Sequence, residues 1–577
     1  MKIGSFLLVC ALAFPLTAQS SREIFDLQGS GAASPFEGQI VTTRGNIVTS
    51  VQAQGFFMQT PETRSDGDIE TSDGIYVFTS SSPSVQIGDE VDVSGLVTEY
   101  FDLTEFDRPS VSVTGSGRPL PPAVVFTSDR PSPLKNELER YEGMLVRVEN
   151  GTVAEPTDRF GNFKGVARAG RPFREPGEER PLYEAFEVAA QGDLVNAGSA
   201  FSATGPLTFT FDQYRILPSA FSHSQAPLPR PAPAGASGVL TVASLNLMRL
   251  FDDMNDPAIN DSEENGVSTQ IYQRRLAKSA GYIDDVLNLP DILAVQEAEN
   301  VRVLQDLAAM ILARTGATYE AHLAEGNDFS GIDVGFLTRD SVRVIRSAQI
   351  GASERLSTDN SLLHDRPPFL MDAVYVGNGT PFPLTVIAVH QRSLGGADLD
   401  SRVRAKRFEQ AASLARAIDA IQKEVPVRRI VVTGDFNAFE FTDGLVEVVG
   451  MIRGACDPLE ELLPCIDLVE SDLRNEIDRL PASERYSFIF EGRAQALDHM
   501  LTSRSLAPFI RGIAFSRGNA DAPDAHRDDP ETLLRTSDHD SPVLYVMTDH
   551  DADGVPDDID TTPRGEDRPP RRVRSRR

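Results

Sequence analysis

The chain has no tryptophan, three cysteines and eight histidines in 577 residues. It is also short of positive charge: 55 Lys and Arg against 85 Asp and Glu leave a formal charge of −30. Each shortage excludes something. A surface this acidic repels polyanions over most of its area, which counts against nucleic-acid binding through broad basic patches. It does not exclude an enzyme that meets phosphate through a metal ion. Beyond the first twenty residues no run is apolar enough to cross a bilayer, which takes ~20 residues. The lack of Trp counts against an aromatic membrane hairpin. Cys456 and Cys465 have no nearby His, so they do not make a zinc site.

A composition of 40% hydrophobic and 24% charged residues belongs to a globular chain. It opens with MKIGSFLLVCALAFPLTAQS: one Lys, an apolar run from Phe6 to Leu16 that includes Cys10, then the small residue Ala18. This is a signal-peptide pattern over residues 1–18, too short for a membrane anchor, and it predicts a soluble secreted protein, extracellular or periplasmic. Export favours a disulfide between Cys456 and Cys465. No protein partner follows from the sequence.

Residues 22–115 read as all-β, with short runs such as GQIVTTRGNIVTSV, GFFMQT and GIYVFTS between Gly, Ser and Asp turns; a small barrel or sandwich is expected. Residues 116–223 form a second β-rich block. Residues 224–238, SQAPLPRPAPAGASG, read as a linker. From 239 to 547 strands alternate with helical stretches, which predicts layered α/β architecture.

Within that last block apolar strands end on polar residues of one kind. SLN ends at Asn246, AVQE at Glu297, and AVHQRS presents His390. IVVTGDFN presents Asp435 and Asn437, ALDHM Asp498, and SDHDSPV Asp538 and His539. Any one of these can be a local turn in which Asp or Asn bonds the backbone. Six of them are hard to explain as independent turns, because half-buried carboxylates need partners or a metal. Asp333 in GIDVGFL reads equally as a further site carboxylate and as a polar residue on an edge strand. The acidic loop 251–265 reads as solvated.

The motifs SLN, QE, HDRPPF, VHQRS, GDFNAF, LDHM and SDHDSPV, in this order, resemble the endonuclease/exonuclease/phosphatase superfamily, whose fold is the deoxyribonuclease I type α/β four-layer sandwich. The whole chain resembles its secreted bacterial extracellular nucleases, which carry an oligonucleotide/oligosaccharide-binding-type β-domain ahead of the catalytic one. SGAASPFEGQIVTTRGNIVTS, GFFMQT and SDGIYVF are similar to that domain. The resemblance implies hydrolysis of phosphodiester bonds in DNA or RNA by water attack. Glu297 and Asn246 would hold Mg²⁺ or Mn²⁺, with Asp538 a further metal or outer carboxylate. Asp435 and Asn437 would orient nucleophile and phosphoryl oxygens. His539 would be the general base, steadied by Asp498, and His390 would contact the scissile phosphate. Arg366 and Arg392 would bind phosphate; Val389 and Arg392 stand where the related nucleases often carry Asn and Lys.

Residues 549–560, DHDADGVPDDID, place Asp549, Asp551, Asp553, Asp557 and Asp560 about a Gly turn. Without Glu at position 12 this is not an EF-hand; it resembles a thrombospondin type 3 calcium repeat, which implies bound Ca²⁺. Residues 561–577 form a basic tail. Two other functions stay open: a phosphoesterase of the same fold acting on phospholipid head groups or small phosphoesters, and a non-catalytic surface binding module.

Overall fold

The computed structural model describes residues 21–560 apart from 178–181, 237, 258, 260, 378–379, 458–460 and 552–553. The expected signal peptide, the basic tail and Asp553 lie outside the described residues. After the short α1 (Ile24–Gln28), five strands close into a barrel: β1 (Ile40–Gln52), β2 (Gly55–Gln59), β3 (Gly74–Phe78), β4 (Glu90–Tyr100) and β5 (Leu103–Gly115). The order is β1-β2-β3-β5-β4, with β4 returning to β1 and only the β3–β5 pair parallel. Alternating burial along β4 puts Val91, Val93 and Val97 inside.

The second block holds β6 (Val124–Phe126), β7 (Leu145–Glu155), β8 (Asn162–Val166), β9 (Phe186–Ala189), β10 (Ala200–Thr210), β11 (Gln213–Ile216) and β12 (Ala220–Ser224). Here β7-β8-β9-β11-β10 closes through a β10–β7 pairing, and only β9–β11 is parallel within that ring. The two blocks therefore share one topology. Even the tight turn recurs: Phe101 and Asp102 have φ 49° and 62°, and Phe211 and Asp212 have φ 52° and 60°. The sequence carries the signal, GLVTEYFD at 95–102 against GPLTFTFD at 205–212.

Of the expected linker 224–238, Ser224 ends β12 and Ala226 still bonds Asn196 and Ser199 of the second barrel, while residues 230–233 are laid along the third domain. Arg230 bridges to Arg517 in both directions, Ala232 donates its N–H to Val286, and Tyr545 donates to the Pro233 carbonyl.

The third domain runs in chain order through β13 (Val239–Leu250), α2 (Thr269–Asp285), β14 (Ile292–Ala298), α3 (Val301–Thr315), β15 (Tyr319–Leu323), β16 (Asp333–Arg339), β17 (Val342–Gln349), β18 (Phe369–Tyr375), β19 (Phe382–His390), α4 (Ser401–Glu424), β20 (Ile430–Asp435), α5 (Val448–Arg453), β21 (Arg474–Asn475), β22 (Phe488–Phe490), β23 (Arg493–Gln495), β24 (Asp498–Thr502), β25 (Ile510–Phe515) and β26 (Pro542–Met547). Two six-stranded sheets form, β15-β16-β14-β13-β26-β25 and β17-β18-β19-β20-β24-β21, and β22–β23 is a separate hairpin. Val242, Ala294, Phe336, Met371, Val386 and Val431 fill the space between the sheets. α2 and α3 cover the outside of the first sheet, and α4 and α5 the outside of the second. This is the expected four-layer sandwich. Ser268, Asn300 and Asp400 cap α2, α3 and α4 with their side chains.

Cys456 and Cys465 form the expected disulfide. In the 549–560 segment Asp549 accepts the Gly554 N–H at 2.9 Å and Asp557 the His550 N–H at 2.6 Å, so both carboxylates turn toward their own loop. Asp551 and Asp560 belong to the same loop and are half-buried.

Candidate active site

The polar strand ends meet at one edge of the paired sheets, and the backbone there is bent to bring them together. Glu297 has φ +60°, in the left-handed region, where β14 slips register between Gln296 and Ala298. Met248 and Arg249 have φ +50° and +56° at the matching break in β13. Non-glycine residues held this way cost about 1–3 kcal/mol each and persist where the surroundings enforce them. Half-buried Arg275 of α2 donates to the carbonyls of Leu247, Met248 and Arg249 and fixes that turn.

Asn246 donates its side-chain N–H to Glu297 at 3.0 Å, while its own carbonyl oxygen accepts the Met248 N–H at 2.8 Å. Glu297 also accepts the Arg249 N–H at 2.9 Å. Asn246 thus steadies Glu297, and its oxygen is turned away to the backbone. Burial, then Asp538, pushes the Glu297 carboxyl up.

Asp435 closes β20. The Asn437 N–H and side-chain amide donate to its two oxygens at 2.7 and 3.0 Å, with Asn437 at φ +47°. The strand has ended, so these side chains are brought together by an Asx-type turn rather than by strand alternation. The local-turn reading and the site reading of GDFN are one geometry. Gly434 precedes them because a Cβ there would lie 2.1 Å from the Val389 carbonyl oxygen on β19. Burial pushes the Asp435 carboxyl up to about 7.

His390 ends β19 beside Asp435. Its Nε2 is 3.4 Å from Asp435 and 3.9 Å from Glu297. Burial, then the charges of Arg366 and His539, holds its pKa well below the usual range, so the ring is neutral. His539 precedes β26 and meets Asp498 of β24 at 2.6 Å through Nδ1. Burial opposes its charge, but Asp498, Asp435 and Asp538 outweigh burial and raise His539 well above the usual range. The Phe488 ring packs 4.8 Å from the imidazole. Asp538 beside it is half-buried.

The two arginines differ. Arg366 donates to the carbonyls of His390 and Gln391, each at 3.3 Å, and to Asp328 at 3.0 Å. Its fork is thereby taken, and it holds the end of β19 instead of standing open to a phosphate. Among the described residues the Arg392 guanidinium makes one long contact, to the Gly395 carbonyl at 3.5 Å. Asp333 faces Glu325 and the Gly326 N–H; burial and Glu325 push it up to about 8.

Sequence reasoning missed the supports. Asp540 is fully buried, accepts N–H groups of Gly518, Asn519 and Ala520, and pairs with Arg517 at 3.2 Å. Asn519 donates to the His539 carbonyl at 2.8 Å. Arg517 stacks 3.5 Å over Tyr486, and Arg171 of the second barrel stacks on the same ring at 4.5 Å while pairing with Asp521 at 2.6 Å. His499 bonds the Ala438 carbonyl at 2.8 Å. Arg407 of α4 donates to the carbonyls of Arg392 and Asn437. That last signal was present: Arg407 interrupts the apolar stripe Val403, Ala411, Leu414 and Ile418 at helical spacing.

Residues 241–507 match the model described as the Endonuclease/Exonuclease/phosphatase family. No curated protein matches the chain. Among solved structures, an endonuclease/exonuclease/phosphatase from Bacteroides vulgatus is 16% identical, with 53% of this chain and 98% of that one covered, at a TM-score of 0.34. The human nocturnin catalytic domain with bound sulfate is 16% identical, with coverage of 54% and 95% and a TM-score of 0.34. A Bacteroides thetaiotaomicron mannosyl-6-phosphatase is 14% identical, with coverage of 53% and 99% and a TM-score of 0.33.

Proposed function

Taking residues 241–507 as a domain of the endonuclease/exonuclease/phosphatase family, we propose that the protein is a secreted, metal-dependent nuclease that hydrolyses phosphodiester bonds of extracellular DNA or RNA. One observation carries the reading: the His539–Asp498 pair faces Asp435 and the neighbouring carboxylates Glu297 and Asp538 across one buried site. The donor set fits a hard divalent cation. Asp435 is buried and Glu297 half-buried, both are pushed up, and His390 beside them is held well below its usual range, so their charge calls for a positive partner. Glu297 and Asp538 would hold Mg²⁺ or Mn²⁺, with Asn246 orienting Glu297. Such an ion, when bound, neutralises charge developing on the phosphoryl oxygens.

The chain's own residues do the rest. His539 takes the proton of the attacking water at Nε2, while Asp498 at Nδ1 holds the tautomer and supports the imidazolium. Asp435, fixed by Asn437, orients that water. His390 donates from Nε2 toward the departing oxygen. Arg392 meets an outer phosphate. We read both barrels as oligonucleotide-binding-type modules that position substrate, and residues 549–560 as a Ca²⁺ repeat. The acidic surface favours a second reading, a phosphoesterase for small phosphoesters or phospholipid head groups, because it repels long polyanions.

The test is nicking of supercoiled plasmid with Mg²⁺, Mn²⁺ or chelator. Metal-dependent nicking that His539→Ala and Asp435→Ala each abolish, in folded protein, is the expected result. A folded parent that leaves plasmid and single strands intact with every metal sinks the nuclease reading.

A further inference from the structure

Helix α2 carries two cations three residues apart, on neighbouring positions of one face. Arg275 fixes the turn at 247–249, beside Asn246 and Glu297. Lys278 serves the opposite side of the site. It is 4% exposed, and its ammonium donates to four backbone carbonyls, those of His526, Asp529, Thr532 and Leu534, at 2.8, 2.9, 2.7 and 3.0 Å. Among the described residues no carboxylate reaches it at ion-pair distance, and Asp528 nearby is paired with Arg274. The carbonyls of Asp529, Thr532 and Leu534 accept no other hydrogen bond among those residues. Rings of carbonyls are how proteins hold bare cations; here a side chain supplies the charge, three N–H donors shared among four acceptors. Burial lowers the Lys278 pKa to about 8, which leaves it an ammonium at neutral pH.

The caged loop runs straight into the base. Leu534 is followed by Arg535, held at φ +56° with its N–H on the Gly518 carbonyl at 2.8 Å and its guanidinium on the Asn519 carbonyl at 3.1 Å. Ser537 donates its N–H to the Asn519 side chain at 3.2 Å, and its hydroxyl accepts the His539 N–H at 3.1 Å. Asp538 and His539 thus take their place from a loop whose carbonyls are gathered by one ammonium.

We propose that the Lys278 ammonium is a built-in cation that sets the course of residues 526–536 and thereby positions Asp538 and His539, so that α2 holds the Glu297 side and the His539 side of the site in one frame. Lys278 is a positioning residue and touches no reacting atom. Its effect on turnover rests on the proposed nuclease activity; the cage itself does not. A cavity of about 490 Å³, lined by Arg274, Ala277, Lys278, Arg314 and Leu533 among others, lies beside its stem and gives small molecules access.

The test uses the full chain with Lys278→Ala, which removes the stem beyond Cβ, and with Lys278→Met, which keeps an apolar stem. n-Propylammonium carries the atoms the alanine variant lacks; tetramethylammonium at the same concentration has the charge without N–H donors. In both variants kcat for plasmid nicking should fall roughly 10–100-fold, with KM within about twofold. Propylammonium should restore kcat saturably in the alanine variant alone. Two readouts need no cleavage. Propylammonium, and not tetramethylammonium, should raise the melting temperature of the alanine variant. The downfield proton resonance expected of the short His539–Asp498 hydrogen bond, assigned by its absence from Asp498→Asn, should shift or broaden in both variants and return with propylammonium. Folded variants with this resonance and kcat unchanged overturn the proposal and leave Lys278 a clamp on the loop alone. Rescue that tetramethylammonium matches also overturns it, as does failure of both variants to fold in either salt. A folded parent that cleaves nothing sinks the nuclease reading instead, and the proton resonance then decides the positioning role.

Discussion

His539 can accept a proton only as the neutral imidazole, yet Asp498, Asp435 and Asp538 hold it charged well above the usual range. Removing one of those charges lowers its pKa, and the acid limb of the rate profile moves with it. Asp538→Asn should therefore shift that limb to lower pH, which a pH profile of kcat/KM reads directly; an unmoved limb removes Asp538 from the electrostatics of the base. Asp498→Asn keeps shape and one acceptor oxygen but not the charge. A loss of roughly 10³-fold in kcat is expected on the scale of positioned acid–base groups. At this scale the sequence was legible where chemistry shows in the residue type: the His, Asp and Glu at strand ends converge as expected. It was not legible where function lies in backbone shape. Glu297 at φ +60° and the inward amide of Asn246 depend on a register break between β13 and β14. No spacing in AVQE encodes that break. Arg366, legible as a phosphate clamp, instead satisfies the carbonyls left open where β19 ends.

Elements hold the site through close approach. β19 and β20 run parallel so tightly at Gly434 that alanine would drive a Cβ into the Val389 carbonyl. Gly434→Ala should cost roughly 3 kcal/mol, measurable by denaturant unfolding. The lead-in to β18 is pinned to α4 by His364, whose Nε2 lies 3.1 Å from the Ser413 hydroxyl. Burial lowers His364 to about 4. The sign follows: a depressed pKa leaves stability intact above the unfolded value near 6.5 and loses it as pH falls toward 4. The loss approaches about 3 kcal/mol for this group. Glu299 and Glu447, pushed up to about 7 by burial, act in the opposite sense: their share is present below the unfolded value near 4.5 and is lost as pH rises through 7. The difference between parent and His364→Gln isolates the histidine, and the variant should show the shallower loss between pH 6.5 and 4. The helices and most long strands were readable because their apolar periods are long. The β22–β23 hairpin was not, for three-residue strands carry too little pattern.

On the scale of the whole molecule the second barrel is joined to the site. Arg171 and Arg517 both pack on Tyr486, and Asp521 and Asp540 complete the buried set that ends at the loop under His539. Arg171→Met removes the ion-pair partner of buried Asp521, leaving it the Tyr486 hydroxyl and the charge of Arg517. A cost of about 3–5 kcal/mol is expected for such a broken pair, together with a fall in kcat larger than the change in KM. Equal activity and stability would show the seam to be passive. The change from β-rich blocks to alternating strands and helices was visible in the sequence, but the shared topology of the barrels went unread because the matching turns lie far apart amid different strand residues. The segment expected as a linker is docked at both ends, Ala226 on the second barrel and residues 230–233 on the third domain, so its backbone groups find partners on each.

The position of β26 sets an order in time. It lies between β13 and β25, so the first sheet stays open until residues 542–547 are in place. His539 and Asp538 sit just before this strand. A growing chain can complete both barrels and the whole second sheet before residues 538 and 539 are synthesised. On the mechanism proposed, the site is armed last: a chain interrupted before residue 539 lacks the base and should show no cleavage.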